Sequence, residues 1–397
     1  MNILIFGHIP SWAGGRQEHG LANVIYNLAL SMSTIEGNRV ILAATDVIGH
    51  NIERENLLIL GWRKIELISY ALLHPFFSFS FFLYLLFHKC IRSYGVSVAG
   101  MFFKGIFLRR TLKNNEFDIL HLHEATSWYY VKLVPRRVKI VVTFHGPYGI
   151  SDDIPYRKQY SILEKNYLSS KKVSSVFFIS HSLHRSYLNY YSHIVPTTDV
   201  IINAYDNQVF NYIEPRAHDV LNVCTIATIQ HRKGQMRVVE GLCKTGLNCH
   251  YFTIGAGSEE SLNDLELQCK KYHVKHTHLG KKSPKQIREI LAEMDYMVLP
   301  SSSEGFGLVY LEAIACGVQV ILPKNLPIVE EPTIIKPSLN ALLLEDCSPN
   351  AITNLFSQLE EKPKYNRREV ANSVLSCSWN EIAKEYLSKY TIIINTL

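Results

Sequence analysis

Glu304 and Glu312 stand eight positions apart on either side of a glycine turn, in Ser303-Glu304-Gly305-Phe306-Gly307-Leu308-Val309-Tyr310-Leu311-Glu312. The apolar run Tyr296–Leu299 ahead of them reads as a buried strand, and Leu308–Cys316 behind as a helix. Gly305 and Gly307 carry no Cβ, so the turn backbone can approach a ligand closely. Exposed amides at the start of the helix favour an anion such as a diphosphate, or hydroxyl oxygens. Glu304, in the turn, is suited to accept hydrogen bonds from sugar hydroxyls, and Glu312, a little over one turn into the helix, from a ribose diol. Taken alone, the same pair is a solvated turn glutamate and a helical one. The surrounding elements must choose between these readings.

Short apolar runs alternate with helical patterns along the whole chain, the signature of parallel sheets with crossover helices. Strands are expected at Ile3–Phe6, Val40–Ala43, Ile119–Leu122, Ile140–Phe144, Val176–Ile179 and Val200–Ile202, then at Val223–Ile226, Tyr251–Ile254, Met297–Leu299 and Val320–Leu322. Helices fall at Leu21–Met32, Gln235–Lys244, Glu259–Tyr272 and Pro284–Ala292, the last opened by a Ser283/Gln286 capping box with Pro284 at its first position. The pattern makes two Rossmann-like halves, joined through the polar segment Asn203–Asp219. A ligand of such a pair belongs at the carboxyl ends of the strands. Trp379–Tyr390 reads as a terminal helix.

At 397 residues, 47% hydrophobic and 19% charged, the chain is long enough for two or three cores. Its eight cysteines are scattered without a Cys-x-x-Cys pair, which argues against zinc ribbons and disulfide frameworks and fits a reducing cytoplasm. Met1–Gly7 reads as a first strand with no basic leader, so no signal peptide is expected. Residues 1–198 hold 21 Lys+Arg against 12 Asp+Glu, and the remainder 20 against 23. A basic first half suits an anionic acceptor or an anionic membrane surface. No nucleic-acid-binding motif accompanies the charge, so no nucleic acid partner is expected.

The motifs Leu299-Pro300-Ser301, Glu304-Gly305-Phe306-Gly307, Leu311-Glu312-Ala313 and Ala315-Cys316-Gly317 together resemble the donor-site signature of glycosyltransferase family four. Gly14-Gly15, Thr143-Phe144-His145-Gly146, Ile201-Ile202-Asn203, Lys233-Gly234, Ile254-Gly255-Ala256-Gly257 and Ser378-Trp379 extend the likeness over nearly the whole chain. The resemblance implies the GT-B fold: two Rossmann-like α/β domains facing across a cleft, with a C-terminal helix returning to the first domain. It divides the chain into an acceptor-binding domain 1–205, a nucleotide-sugar-binding domain 206–375 and a terminal segment 376–397.

It also implies a retaining enzyme that moves a sugar from a nucleoside-diphosphate donor to a glycan or lipid-linked hydroxyl acceptor in bacterial surface glycan synthesis, without metal or other cofactor. In that reading Glu304 holds the sugar, Glu312 the ribose, and Gly15 and Lys233 the diphosphate. His145 lies on the reacting face, as a neutral or cationic imidazole, and Gly255, Gly305, Phe306 and Gly307 line the donor. Catalytic roles fall to Glu304, His145 and Lys233. No Asp-x-Asp motif is present to hold a divalent metal. His121 and His123 have metal-like spacing beside Glu124, but strand alternation puts both on one face without a metal.

Two departures stand out. The family arginine expected near the end of the strand before Lys233 aligns with Thr228, and its glycine loop is replaced between Leu322 and Glu331 by Pro323, Pro327 and Glu330-Glu331. The missing arginine leaves a non-catalytic subunit that kept the pocket as an alternative, beside a nucleotide-sugar epimerase of related two-domain fold.

Ala71–Phe87 is the compositional outlier, with seven Phe or Tyr in seventeen residues and His74 its one ionisable group. It is short of the roughly 20 residues that span a bilayer. Arg63 and Lys64 precede it, and Lys89, Arg92, Lys104, Arg109, Arg110 and Lys113 follow. Docking on the inner membrane surface, an ordinary buried helix and a true span are the three readings. The first makes the protein peripheral on the cytoplasmic face.

Overall fold

A computed structural model describes residues 1–17, 20–88, 97–151, 155–359 and 364–396. Lys89, Arg92 and Cys90 lie outside the described residues. The chain forms two units: Met1–Ile202 with Trp379–Leu397, and Asn203–Ser378.

In the first unit, eight strands form one sheet: β1 Asn2–Gly7, β2 Arg39–Ile48, β3 Ile52–Arg54, β4 Leu57–Trp62, β5 Ile119–Leu122, β6 Lys139–Phe144, β7 Val173–Phe178 and β8 Thr197–Val200. Their order is β3-β4-β2-β1-β5-β6-β7-β8. All neighbours are parallel except β3 and β4, so this sheet is mixed and not purely parallel as the alternation suggests. β1 and β5 are apolar almost throughout and buried on both faces, as central parallel strands must be. The last strand lies a few residues before Val200–Ile202, because its pairing runs through Thr197, Thr198 and Asp199 at a polar edge.

The second unit has six parallel strands, β9 Leu221–Ile226, β10 Cys249–Ile254, β11 Lys275–Gly280, β12 Tyr296–Val298, β13 Gln319–Pro323 and β14 Ala341–Leu344. Their order, β11-β10-β9-β12-β13-β14, is the Rossmann order, in which the chain reverses direction across the sheet between its first and fourth strands. Val223, Val238, Val239, Tyr251, Val298, Ile321, Ile352 and Phe356 are among the residues that form its core. The Ser283 hydroxyl accepts from Gln286 N while the Gln286 side chain accepts from Ser283 N, completing the capping box.

The terminal helix Trp379–Asn395 packs in the first unit, against the helix Gly20–Thr34. Its buried Tyr390 hydroxyl lies 2.6 Å from His121 Nδ1, and Tyr386 reaches Thr143 on β6 at 3.4 Å. Two polar contacts inside an apolar layer thus set the register of this helix on β5 and β6.

Ala71–Phe87 is not one helix. Lys64–Leu73 and Pro75–Phe87 are separate helices bent by 111°, with Pro75 opening the second. Proline is tolerated at a first helical turn but cannot continue the preceding one. Phe81 and Leu85 are buried, whereas Phe76 is 91% exposed, with Leu72, Leu73, Phe79 and Phe87 also exposed. The segment is therefore half core and half uncovered apolar surface. No single described helix is long and apolar enough to cross a membrane, although the bent pair passes that test of length and composition together.

Candidate active site

β9 and β12 are the neighbours at which the second unit's strand order reverses, so their carboxyl-end loops diverge and open a crevice. After β9, His231–Lys233 makes a single 3-10 turn ended by Gly234 at φ 83°. A Cβ on Gly234 would lie 2.7 Å from the Pro300 carbonyl oxygen, so the close approach of these two loops needs glycine there. Ser302 N donates to Arg232 O at 3.0 Å, the Arg232 guanidinium to Ser303 O, and Arg237 Nη2 to Pro300 O at 2.8 Å. The two loops are laced together by backbone carbonyls.

This lacing brings Lys233 Nζ to 2.5 Å from Glu304 Oε1, with the two side chains only 15% and 11% exposed. The pair straddles the reversal point. Beyond it, Gly307 at φ 89° turns the chain into the helix Leu308–Ala315, and no side chain caps the first amides. A Cβ on Gly307 would meet the Tyr310 ring at 2.7 Å, while the Tyr310 hydroxyl donates to Leu299 O at 2.6 Å and anchors the helix on β12. The left-handed conformation falls on Gly307 and not on Gly305. Phe306 is buried and fixes the turn from below.

Glu312 sits further along the helix, partly exposed. Burial of its carboxyl, with the nearby charge of Asp206, pushes its pKa up to about 7. Gly255, at φ 147°, ends β10 with its Cβ position 2.0 Å from Ala227 O, so the ends of β9 and β10 can meet only without a side chain. Thr228 is exposed there, and its carbonyl accepts from Gln235 Nε2 at 3.0 Å. Arg232 lies beside Lys233 but donates to the Ser303 carbonyl, and Arg237 is committed to three carbonyls.

In the first unit the strand order reverses between β1 and β5. There His8 Nε2 lies 2.8 Å from Glu124 Oε1, while Nδ1 is 2.9 Å from Thr45 Oγ1 and 3.8 Å from Asp46. Burial opposes charge on His8, but Asp46 and Glu124 outweigh it and raise its pKa to about 9. Asp46 also accepts from Ile9 N at 3.2 Å and Arg16 N at 2.9 Å. It thereby pins both ends of the loop that carries Gly14 and Gly15. A Cβ on Gly15 would lie 2.1 Å from Ile9 O.

His145, after β6, is buried and its Nε2 lies 2.9 Å from His123 Nδ1. Burial lowers its pKa to about 3, so it is a neutral imidazole. His121 and His123 are held well below the ordinary value by burial and by neighbouring histidines. His121 is satisfied by Thr143 and Tyr390, which gives it a structural role. No group of three metal-ligating side chains occurs among the described residues.

Lys233, Glu304 and the Gly307 turn are thus drawn together in one unit, and the Gly15 loop and His145 are set in the other. His8 and Asp46 are additions that motif reading misses. Both lie at the carboxyl end of a parallel strand, a position that gains meaning only once the strands stand side by side.

The chain thus carries two open α/β sheets, each with a charged pair at its reversal point. Residues 213–373 match Glycosyl transferases group 1 and residues 19–208 match Glycosyltransferase Family 4. The chain belongs to glycosyltransferase family four and has the GT-B fold. It is 27% identical over 233 residues to N-acetyl-alpha-D-glucosaminyl L-malate synthase of Bacillus anthracis, a match covering 53% of this chain and 57% of that relative's length. Among solved structures it resembles sucrose-phosphate synthase from Thermosynechococcus elongatus, at TM-score 0.74 and 15% identity with both chains fully covered. It also resembles Anabaena HepE in complex with UDP and glucose, at TM-score 0.69 and 13% identity, covering 99% and 100% of the two chains.

Proposed function

We propose that the chain is a retaining, metal-independent transferase that moves a sugar from a nucleoside diphosphate to a hydroxyl of a glycan or lipid-linked acceptor in bacterial surface glycan synthesis. The observation that carries this reading is the Lys233–Glu304 pair, set at the reversal point beside an uncapped helix start. Here the bond from the anomeric carbon to the diphosphate breaks, the acceptor oxygen bonds to that carbon, and the hydroxyl proton leaves with the diphosphate. Charge on the departing diphosphate grows in the transition state. Lys233 and the free amides oppose that charge, and Glu304 accepts from the sugar hydroxyls. Glu312 engages the ribose, Gly255 permits close approach of the nucleotide, and the Gly15 loop serves the diphosphate. Neutral His145 lies on the reacting face without adding charge.

The HepE complex with UDP and glucose supports a UDP-sugar donor as the first to try. The exposed face of the two bent helices supports a peripheral place on the inner membrane surface.

The test is to incubate the protein with UDP-, GDP- and ADP-sugars, alone and with candidate acceptors, and to read product anomers by NMR. Acceptor-dependent transfer with retained configuration, unaffected by EDTA, is expected. Donor isomerisation without acceptor would identify an epimerase, and donor binding without turnover a non-catalytic subunit.

A further inference from the structure

A cavity of about 710 Å³ opens within the first unit, a size that suits a small ligand. Its walls include His123 and His145, and their arrangement has a consequence for what it can bind. Both imidazoles are neutral through burial, and they share one hydrogen bond between His123 Nδ1 and His145 Nε2. The two remaining nitrogens, His123 Nε2 and His145 Nδ1, are buried without a hydrogen-bond partner. A neutral imidazole carries one N–H. If His123 donates in the shared bond, His145 is left with the free donor and His123 with the free acceptor. If His145 donates, the roles exchange. In either tautomer pair the two imidazoles that line the cavity hold one unpartnered donor and one unpartnered acceptor, a combination that a hydroxyl, itself donor and acceptor, satisfies.

Another part of the wall is of opposite character. Ser97 and Gly100 line the cavity at the start of the seventeen-residue helix Val98–Asn114, where the Ser97 hydroxyl accepts from Gly100 N at 3.2 Å, and Lys104 lines it from the second turn, so the positive end of the helix and an ammonium lie on the same wall. The carboxylates in the wall are already committed. Glu124 is bound to His8, and Glu164 accepts from Gly149 N at 3.1 Å and from the Tyr191 hydroxyl at 2.9 Å. Lys104 makes no ion pair among the described residues, although its charge reaches both His8 and Glu124. Tyr148 and Tyr160, with ring centroids 5.3 Å apart, supply an aromatic wall.

We infer that this cavity takes the acceptor, and that the acceptor is anionic: a hydroxyl compound whose phosphate or carboxylate meets Lys104 and the start of Val98–Asn114 while its hydroxyl meets the His123–His145 pair. This rests on the transferase reading. The anion is the acceptor's own and separate from the donor diphosphate, which Lys233 and the Gly15 loop serve.

The full chain is titrated calorimetrically with inorganic phosphate, glycerol 3-phosphate, glycerol and UDP, and sedimented with phosphatidylglycerol vesicles. The measurements are repeated for Lys104→Met and Lys104→Arg, with thermal unfolding as a check on folding. Glycerol 3-phosphate should bind more tightly than phosphate or glycerol. Lys104→Met should weaken it by about tenfold or more, as loss of a charge-assisted contact does, and Lys104→Arg should restore much of it. Binding of soluble glycerol 3-phosphate points to a free acceptor, and Lys104-dependent capture on vesicles alone to a lipid-borne one. Both outcomes support the inference. Equal binding of glycerol and glycerol 3-phosphate, or Lys104→Met acting on no anion, would overturn it. So would a parallel loss of UDP, which would give the cavity to the donor. UDP binding that persists in wild type while every anion fails would sink the anionic acceptor and leave the transferase reading intact.

Discussion

Lys233 Nζ and Glu304 Oε1 meet at 2.5 Å across the reversal point of one sheet, and His8 and Glu124 meet at 2.8 Å across the reversal point of the other. In each case a cation from the loop after one central strand is neutralised by a carboxylate from the loop after its neighbour. Both positions lie where diverging loops expose the strand ends, and each pair holds its loops while leaving charge near a ligand.

For Lys233 and Glu304, this coupling predicts non-additive mutants. Lys233→Ala leaves Glu304 charged without its partner, and Glu304→Gln leaves Lys233 to the diphosphate alone. Each change should lower turnover by on the order of a hundredfold, as loss of a positioned transition-state contact does. The double variant should fall short of the product of the two by about tenfold or more. Steady-state kinetics of the four proteins measure this. Strict additivity would show that the two residues act on the donor independently.

Glu312 predicts a pH effect of definite sign. Its pKa is raised from the ordinary carboxylate range to about 7 by burial and then by Asp206, so the folded protein disfavours its ionised form. The stability it contributes is fully present below its unfolded pKa near 4.5 and is lost as pH rises through about 7. Glu312→Gln should therefore match wild type near pH 4.5 and exceed it at pH 8, by on the order of 1 kcal/mol after allowance for partial exposure. Thermal unfolding at the two pH values tests this. Nucleotide affinity of wild type should increase from pH 6 to 8 as the carboxylate forms, and stay flat in the variant. The opposite slope would remove Glu312 from the ribose.

The buried contact of Tyr390 with His121 predicts how the terminal helix is held. Tyr390→Phe would leave His121 Nδ1 without its partner, at a cost of about 1–3 kcal/mol. Amide exchange should quicken across Trp379–Asn395 before it does so in β5. His121 and His123 are kept neutral by burial, with folded pKa values below the unfolded value near 6.5. Their contribution is present above that value and is lost as pH falls below it. Wild type should thus lose stability on acidification from about pH 6.5, and unchanged melting down to pH 4 would contradict neutral burial.

Much of this was legible in the sequence because parallel strands buried on both faces are apolar runs with sharp ends. Ile119–Leu122 is recovered without error, and β1, β6, β9 and β10 within a few residues. Four strands escape. Lys275–Gly280, with a lysine and two histidines, and the antiparallel Ile52–Arg54 are polar edge strands, whereas Leu57–Trp62 and Ala341–Leu344 are short apolar runs that composition does not set apart from their surroundings. Of the site, Glu304, Glu312 and Lys233 could be found from glycine-marked turns. His8 and Asp46 could not, since an isolated histidine and aspartate acquire meaning only when β1, β2 and β5 stand side by side. Neither the bend before Pro75 nor the division of Pro75–Phe87 into a buried and an exposed face was read from the sequence. Its aromatics surround the helix almost evenly.

That division sharpens the membrane prediction. Phe81 is 1% exposed and belongs to the core, so a serine there would destabilise the unit by roughly 3–5 kcal/mol and say nothing of docking. Arg109 is stacked on Phe77 at 3.8 Å and Arg110 is paired with Glu66 at 2.6 Å, so these two cations are largely engaged within the unit. Phe76, Phe79, Leu72 and Leu73 are among the exposed apolar residues, with Lys64 nearby in sequence and Lys113 Nζ 3.4 Å from His74 Nε2. Replacing those four by serine should leave the melting temperature nearly unchanged, because surface substitutions seldom cost more than about 0.5 kcal/mol. Wild type should sediment with anionic liposomes at low salt and less so at high salt, since each nearby lysine adds a screened attraction of about 1 kcal/mol. The quadruple variant should stay in the supernatant at both salt concentrations. A wild type that ignores anionic liposomes at low salt, or a folded variant that still sediments with them, would remove this face from the membrane.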